Sequence, residues 1–469
     1  MAEVTCPGCL ERDQRIAQLE RRVAELEALV RDLMGRLGAN ATNSSLPPSA
    51  NPPAAPKPVT KRPTGKKPGA QPGHQAHLKR RLPPERLHAV VSFVPTRCDR
   101  CHEPLPADAG PDDPEPSWHQ VAELPEMAAQ VTEYQGHYRS CVCCGTLNHA
   151  ALPAELRTHS VGPRLAATLA YLAGSHRLSK RGLEELTRDV FAVPVALGTI
   201  AQLERQTSAA LAGAHAEALQ VVRGAGTKNV DETGWKVAGK LCWLWVAATG
   251  SVAAFLIHPR RGWQALAALL GEKIQGLVGS DRWSAYGRLS PFARQVCWAH
   301  LKRDFQKLVD RGGPAARLGQ KLQGIAGQVF EQWHLFRGGG IDRGELQRRL
   351  DGPAQELERL LRSGRRCADA KAATFCANVL GLVPSVWRFV VSAGVEPTNN
   401  HAERLLRRGV LWRKSSFGCH SASGCRFVER LLTAVQTCRL QGRSVLRYLH
   451  EAISAHRKGL PAPSLLPTQ

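Results

Sequence analysis

The chain has 469 residues with 63 Lys and Arg against 40 Asp and Glu, a formal net charge of +23 at pH 7. That length exceeds what one hydrophobic core usually supports, so several domains are expected. No apolar run approaches the roughly 18–20 residues of a membrane span and no signal peptide opens the charged N-terminus, so the expectation is a cytoplasmic protein, neither membrane-embedded nor secreted. The cation excess is patchy and points to a polyanionic partner, with nucleic acid ahead of a membrane surface. Fourteen cysteines in a reducing compartment suggest metal ligation where they fall in close pairs.

Residues 1–39 read as a coiled-coil zipper. Ile16, Leu19, Val23, Leu26, Val30, Leu33 and Leu37 fall at a and d positions of a heptad, with Leu at every d. That pattern favours a parallel two-stranded coil and therefore a homo-oligomer. Cys6 and Cys9 at its start read as unpaired thiols, with four ligands supplied by two chains as the alternative. Residues 40–88 are Pro-rich and set Lys57, Lys61, Arg62, Lys66, Lys67, Lys79, Arg80, Arg81 and Arg86 against the single acid Glu85. A disordered basic arm of this kind condenses on phosphates wherever DNA is near. Within 89–155, Cys98-x-x-Cys101 and Cys141-x-x-Cys144 are separated by a 39-residue spacer, residues 102–140. Paired thiolates at this spacing suggest the two knuckles of a zinc ribbon holding structural Zn²⁺, with Cys143 adjacent and His102 and His137 as surface histidines. Residues 156–224 are helical, and the break at 191–195 fits a helix-turn-helix or an ordinary helical hairpin equally well.

From Thr227 the hydrophobic period changes to two. Residues 228–237, 241–249 and 253–258 read as hairpin-linked strands, 263–270 as a helix, and 274–280 and 295–298 as further strands of a mixed α/β sheet. This part, 225–304, is expected to continue in 392–450 after a helical insertion at 305–391, with a tail at 451–469 that is Pro-rich from Pro461 to Pro467. The fold class is thus a multidomain α+β protein. Asp231 and Asp281 each follow a short apolar run, and Glu403 sits in the first turn of a helix opened by Thr398-Asn399-Asn400. Taken alone, Glu403 is an i,i+4 partner for Arg407. Three carboxylates drawn from two strands and a helix offer the oxygen ligands that hold hard divalent cations against a phosphodiester. Glu232 is expected on the opposite strand face from Asp231, and Asp304 as a helix surface charge.

Several segments now stand in order along nearly the whole chain. They are the zipper, Asn43-Ser44-Ser45-Leu46-Pro47-Pro48-Ser49, the Gly65–His74 arm and the two CxxC pairs. Val230-Asp231-Glu232-Thr233-Gly234-Trp235, Ser280-Asp281, Cys297-Trp298-Ala299-His300 and Thr398-Asn399-Asn400-His401-Ala402-Glu403-Arg404 complete them. Together they resemble the transposases of the insertion-sequence-66 family, TnpC-type members of the DDE group with a ribonuclease-H-like core. The resemblance implies a catalytic triad of Asp231, Asp281 and Glu403 binding two Mg²⁺ or Mn²⁺ ions, with DNA cleavage and strand transfer as the reaction. It also implies DNA ends and a target as partners, helper proteins of the same element, and a place in the bacterial cytoplasm beside the nucleoid. His300, Arg404 and Arg407 are candidates for phosphate contacts, with plain core or surface roles as the alternative. Where many relatives carry Gly-Tyr after the second acid, this chain has Arg282-Trp283. A DNA-binding regulator without catalysis is the competing reading.

Overall fold

Helix α1 (Pro7–Leu37) carries the heptad seam, and Ile16, Leu19, Val23, Leu26 and Val30 on it are all exposed. The computed structural model describes residues 7–37 and 81–466, so Lys61, Arg62, Lys66, Lys67, Lys79 and Arg80 of the basic arm lie outside the described residues. The chain divides into two units, 57–128 and the remainder. In the smaller unit the Gln120 amide brackets Leu82, accepting from its backbone N–H at 2.9 Å and donating to its carbonyl at 3.1 Å. The exposed Arg81 guanidinium lies 5.9 Å from the Trp118 ring centroid. No helix among the described residues is long and apolar enough to cross a membrane.

The larger unit contains a short antiparallel hairpin, β1 (Tyr138–Ser140) and β2 (Leu147–His149). Helices α2 (Ala154–Thr158), α3 (Pro163–Tyr171), α4 (Lys180–Asp189), α5 (Leu197–Ala210) and α6 (Ala212–Gly224) follow. Ser179 caps α4 by accepting the Gly182 N–H at 3.0 Å. Period-two alternation then produces β3 (Thr227–Val237), β4 (Lys240–Ala248) and β5 (Ala253–His258), joined antiparallel in sequence order. After α7 (Trp263–Leu270), β6 (Leu277–Ser280) and β7 (Arg294–Val296) add parallel strands on the far side of β3. The sheet order is β5-β4-β3-β6-β7, with β3 at the centre.

Two strand boundaries differ by more than one residue from the sequence expectation. The fourth strand starts at Leu277 rather than 274 because Gly276 takes φ 67°, a left-handed turn that no strand accommodates. The fifth ends at Val296, since Cys297 becomes the N-cap of α8 (Trp298–Asp310) and Trp298 donates its N–H to Pro397 instead of to a strand.

Helices α9 (Gly313–Arg337), α10 (Arg343–Gly364), α11 (Ala370–Leu380), α12 (Val383–Val386) and α13 (Arg388–Val391) come next. With α8 they surround a buried cluster that includes Trp298, Phe305, Leu322, Leu361 and Phe389, and that reaches Leu277 and Val296 of the sheet. Gln295 ties this layer to the sheet, donating to Val386 at 3.0 Å and accepting from the Phe389 N–H at 2.8 Å. Then α14 (Asn400–Ser416), α15 (Ala422–Leu440) and α16 (Val445–Arg457) return to the other side. A second buried cluster runs from Val161, between α2 and α3, through the sheet to Leu465 near the C-terminus. The Pro-rich tail is thus docked: Leu465 is buried, and its N–H donates to Glu217 at 2.7 Å.

Helix α15 closes the open edge of β5 with its side chains. The N–H groups of Ala253, Phe255 and Ile257 donate to Thr437 (3.1 Å), Thr433 (3.1 Å) and Glu429 (2.6 Å). Four helical residues rise about 6.0 Å and two strand residues about 6.6 Å, so acceptors at i, i+4 and i+8 match alternate strand donors. An edge that would otherwise template aggregation is satisfied. Thr433→Val keeps the shape but leaves the buried Phe255 N–H without an acceptor. Chemical denaturation of this variant is expected to show a loss of about 1–3 kcal/mol, with an unchanged m-value.

Candidate active site

Asp231 stands in the central strand and Asp281 in the first position after β6. The parallel register pairs Thr227 with Leu277, Lys228 with Val278 and Asn229 with Gly279. Continuing that register sets residue 231, midway along β3, beside residue 281, just past the carboxyl end of β6. Two groups hold the turn that carries Asp281. The Trp283 N–H donates to Asp281 Oδ1 at 2.9 Å. The buried Arg294 guanidinium donates to Ser280 Oγ at 3.0 Å, to the Tyr286 carbonyl at 3.3 Å and to the Asp281 carbonyl. Burial lowers the pKa of Arg294 to about 10, which leaves it charged at neutral pH.

Helix α14 brings the third acid. Its N-cap residue is Asn399, as the Asn/Thr cluster suggests, yet the Asn399 side chain does not cap the helix. Instead it is fully buried and bridges to β3. Its Nδ2 donates to the Val230 carbonyl at 2.8 Å, and its Oδ1 accepts from Asn229 Nδ2 at 3.0 Å. Gly279 makes room for this: a Cβ there would collide with Asn229 Nδ2. At the other end of α14, Cys419 pairs with β3, its N–H donating to Lys236 at 2.8 Å and its carbonyl accepting from the Ala238 N–H at 2.8 Å. A 17-residue helix rises about 25 Å, and strand residues 229–237 span about 26 Å, so both ends can be pinned at once. Between the pins, Gly409 lets the helix rest directly on Leu244 of β4, where a Cβ would overlap the leucine methyl. Glu403 follows Asn399 by one turn, its N–H donating to the Asn399 carbonyl at 3.2 Å.

The electrostatics record the convergence. Burial pushes the Asp231 carboxyl well above the ordinary carboxylate range, and the charges of Glu232, Glu403 and Asp281 push it further in the same direction. Like charges gathered this way are the condition that a divalent cation relieves. Glu403 Oε1 is a buried oxygen with no hydrogen-bond partner among the described residues. The donor set, all carboxylate oxygen, suits a hard ion such as Mg²⁺. Glu232 is the neighbour rather than a member. It is buried, accepts from Tyr286 Oη at 2.6 Å and pairs with Arg261 at 3.0 Å. Arg261 in turn stacks on the Trp283 and Trp243 rings, 3.8 and 4.6 Å from their centroids.

Asp304 is not the free surface charge its helix position suggests. Its side chain is 15 % exposed and takes both Arg282 Nε (2.9 Å) and Nη2 (2.6 Å). The Arg282 that follows Asp281 is therefore already engaged within the protein. His300 is half-buried with its Nδ1 3.5 Å from Glu403 Oε1, and burial, then Arg303, holds its pKa below the usual imidazole value. Arg404 and Arg407 are exposed on α14. Arg404 lines a cleft with Lys228, Asn229, Thr249 and His401, and the His401 ring is bonded to the Thr249 carbonyl at 2.7 Å. Sequence reasoning missed Arg294 and the reach of Asn399; Arg294 opens β7, one residue before the strand expected at 295–298.

The two CxxC segments have the same local geometry. The His102 N–H donates to the Cys98 carbonyl and the Gly145 N–H to the Cys141 carbonyl, both at 2.9 Å. In each turn the closing residue is left-handed, His102 at φ 62° and Gly145 at φ 70°. Backbone hydrogen bonds from Cys101 and Arg100 lower the Cys98 pKa, and the Thr146 hydroxyl lowers that of Cys144. His102 and His137 are exposed.

Comparison with known proteins places this arrangement. Residues 159–426 match the family described as Transposase IS66 family, a stretch from α3 into α15 that contains all three acids. Residues 8–80 match a family of unknown function, DUF6444. A curated relative is the uncharacterized protein y4qI of Sinorhizobium fredii, 25 % identical over 249 residues. The aligned part is 48 % of this chain and 45 % of the relative, so the chain spans about half the length of that protein. With more than half of its residues inside the first of these matches, the chain belongs to the IS66 family of transposases.

Proposed function

We propose that the protein is a DDE-type DNA transposase of ribonuclease-H-like design, whose Asp231, Asp281 and Glu403 hold two Mg²⁺ or Mn²⁺ ions for strand cleavage and strand transfer. The observation that carries this reading is the parallel register that sets Asp231 of β3 beside Asp281, supported by an Asp231 carboxyl that burial, then the charges of Glu232, Glu403 and Asp281, push upward. When bound, such ions supply Lewis acidity to the attacking and leaving oxygens of a phosphodiester. The chain's own part is positioning. Arg294 fixes the turn that presents Asp281, and Asn399 locks the helix that presents Glu403 to the strand that presents Asp231. The tight packing of α14 at Gly409 denies the third acid freedom to drift. Exposed Arg404 and Arg407 flank Glu403 on α14 and suit DNA phosphates, with His300 beside them. Arg81 and the basic arm that includes Lys61, Arg62, Lys66, Lys67, Lys79 and Arg80 add non-specific affinity. The exposed apolar seam of α1 suits pairing with a second copy of the chain.

The test is a product assay on element ends with Mg²⁺, run beside a chelator control. Nicked and joined strands that vanish with chelator are expected. DNA binding unchanged by chelator, with no nicked product under any metal, would establish a regulator and overturn the reading.

The Cys98–Cys101 pair and the Cys141–Cys144 pair are each proposed as thiolate ligands for structural Zn²⁺. Support comes from the matched turns and from thiol pKa values lowered at Cys98 and Cys144, as zinc knuckles require. Cys98→Ser and Cys144→Ser are each expected to lower zinc content measured by elemental analysis. Unchanged stoichiometry would remove the assignment.

A further inference from the structure

We infer that Cys297, His300 and Glu403 form a second metal site, selective for a thiophilic ion such as Zn²⁺, which takes Glu403 away from the carboxylate cluster and so switches the active site off. Their ligand atoms, Cys297 Sγ, an imidazole nitrogen and a carboxylate oxygen, lie within 4.8 Å of one another. His300 Nδ1 and Glu403 Oε1 are 3.5 Å apart, close to the tetrahedral edge of about 3.4 Å set by two bonds of about 2.1 Å to zinc. Both atoms are buried, and neither has a hydrogen-bond partner among the described residues. Two facing orphans in a protein interior mark a place where something else binds. The sulfur, within 4.8 Å of both, completes the set with a shift of at most about 1 Å, toward an edge of about 3.6 Å.

Burial raises the Cys297 thiol pKa to about 11, and a metal displaces the thiol proton on binding. Cys297 is the N-cap of α8, and the Asn399 N–H donates to its sulfur at 3.2 Å. A helix N-terminus and an N–H bond to sulfur both work against that rise. Cys297-x-x-His300 puts the two soft donors one helical turn apart, facing the first turn of α14. The side chains of His300 and Glu403 are 26 and 36 % exposed, which leaves a way in for the ion and a fourth position for water. Sulfur and imidazole are poor ligands for Mg²⁺ and good ones for Zn²⁺, so the two sites discriminate by ligand chemistry. Sharing Glu403 makes them compete.

The inhibitory consequence rests on the proposed cleavage reaction; the binding does not. The full chain, loaded with Zn²⁺ and dialysed, is compared with Cys297→Ser and His300→Gln for zinc content, and with Co²⁺ in place of zinc for the thiolate charge-transfer band. One equivalent less zinc in each variant is expected, with circular dichroism unchanged in His300→Gln. In the cleavage assay, excess Zn²⁺ over saturating Mg²⁺ is expected to depress the wild type at least about tenfold. The ratio with and without zinc within each active variant is expected to stay near one. A folded His300→Gln protein with wild-type zinc content overturns the site, and it does so even if Cys297→Ser fails to fold. Loss of zinc in both variants together with no Mg²⁺-dependent cleavage by the wild type upholds the site and overturns the proposed function instead.

Discussion

Asp231→Asn is expected to abolish Mg²⁺-dependent strand cleavage, by at least about a thousandfold, while making the metal-free protein more stable. The first effect follows from losing a ligand to ions whose charge stabilisation is worth several kcal/mol, at about 1.4 kcal/mol per decade of rate. The second follows from the raised pKa of Asp231, whose causes are burial and then the charges of Glu232, Glu403 and Asp281. A carboxyl whose folded pKa lies above its unfolded value of about 3.9 destabilises the fold when ionised. The penalty is complete above the folded pKa and disappears as pH falls below about 4. Thermal melts without metal should therefore place Asp231→Asn above wild type at neutral pH, with the gap closing in acid. Added Mg²⁺ should raise the wild-type melting temperature and leave the variant's unchanged, because only the wild type binds it in the folded state. An inactive variant that is also destabilised at neutral pH would point to misfolding rather than to a lost ligand.

Asn399→Ala is expected to damage activity through position alone. Removing the amide orphans the Val230 carbonyl and the Asn229 amide in the interior, a loss of about 1–3 kcal/mol in denaturant unfolding. It also frees the first turn of α14, and a displacement of about 1 Å at a reacting centre costs on the order of a hundredfold in rate. The loss should fall on kcat, with DNA affinity nearly unchanged, since Asn399 is buried and reaches no surface. A double-mutant cycle with Asn229→Ala should show strong coupling, because the two amides share one hydrogen bond. Additive effects would mean that the clamp does not exist in solution.

The local elements of the sheet were legible because period-two alternation and the Ala238-Gly239 turn are short-range signals. Helix α7 and strand β5 begin and end where their apolar patterns do. The three acids were legible as candidates because each stands at the end of an apolar run or the start of a helix. What remained hidden is non-local. An asparagine at a helix start reads as a cap, and only the crossing of α14 over β3 turns Asn399 outward from its own helix to another element's carbonyl. Asp304 looked exposed because helix periodicity says nothing about Arg282, which comes from the loop after β6. The same holds for Thr433 and Thr437, ordinary polar residues in a helix until β5 presents its N–H groups to them. The docked tail was readable only as Leu465 and Leu466, two apolar residues among prolines.

The most direct measurement is Mn²⁺ binding to the full chain by electron paramagnetic resonance, for the wild type and for Asp231→Asn, Asp281→Asn and Glu403→Gln separately. A single cluster built from all three carboxylates predicts that each substitution alone removes or weakens the bound Mn²⁺ signal. A variant that binds Mn²⁺ as the wild type does would take its residue out of the cluster and contradict the account.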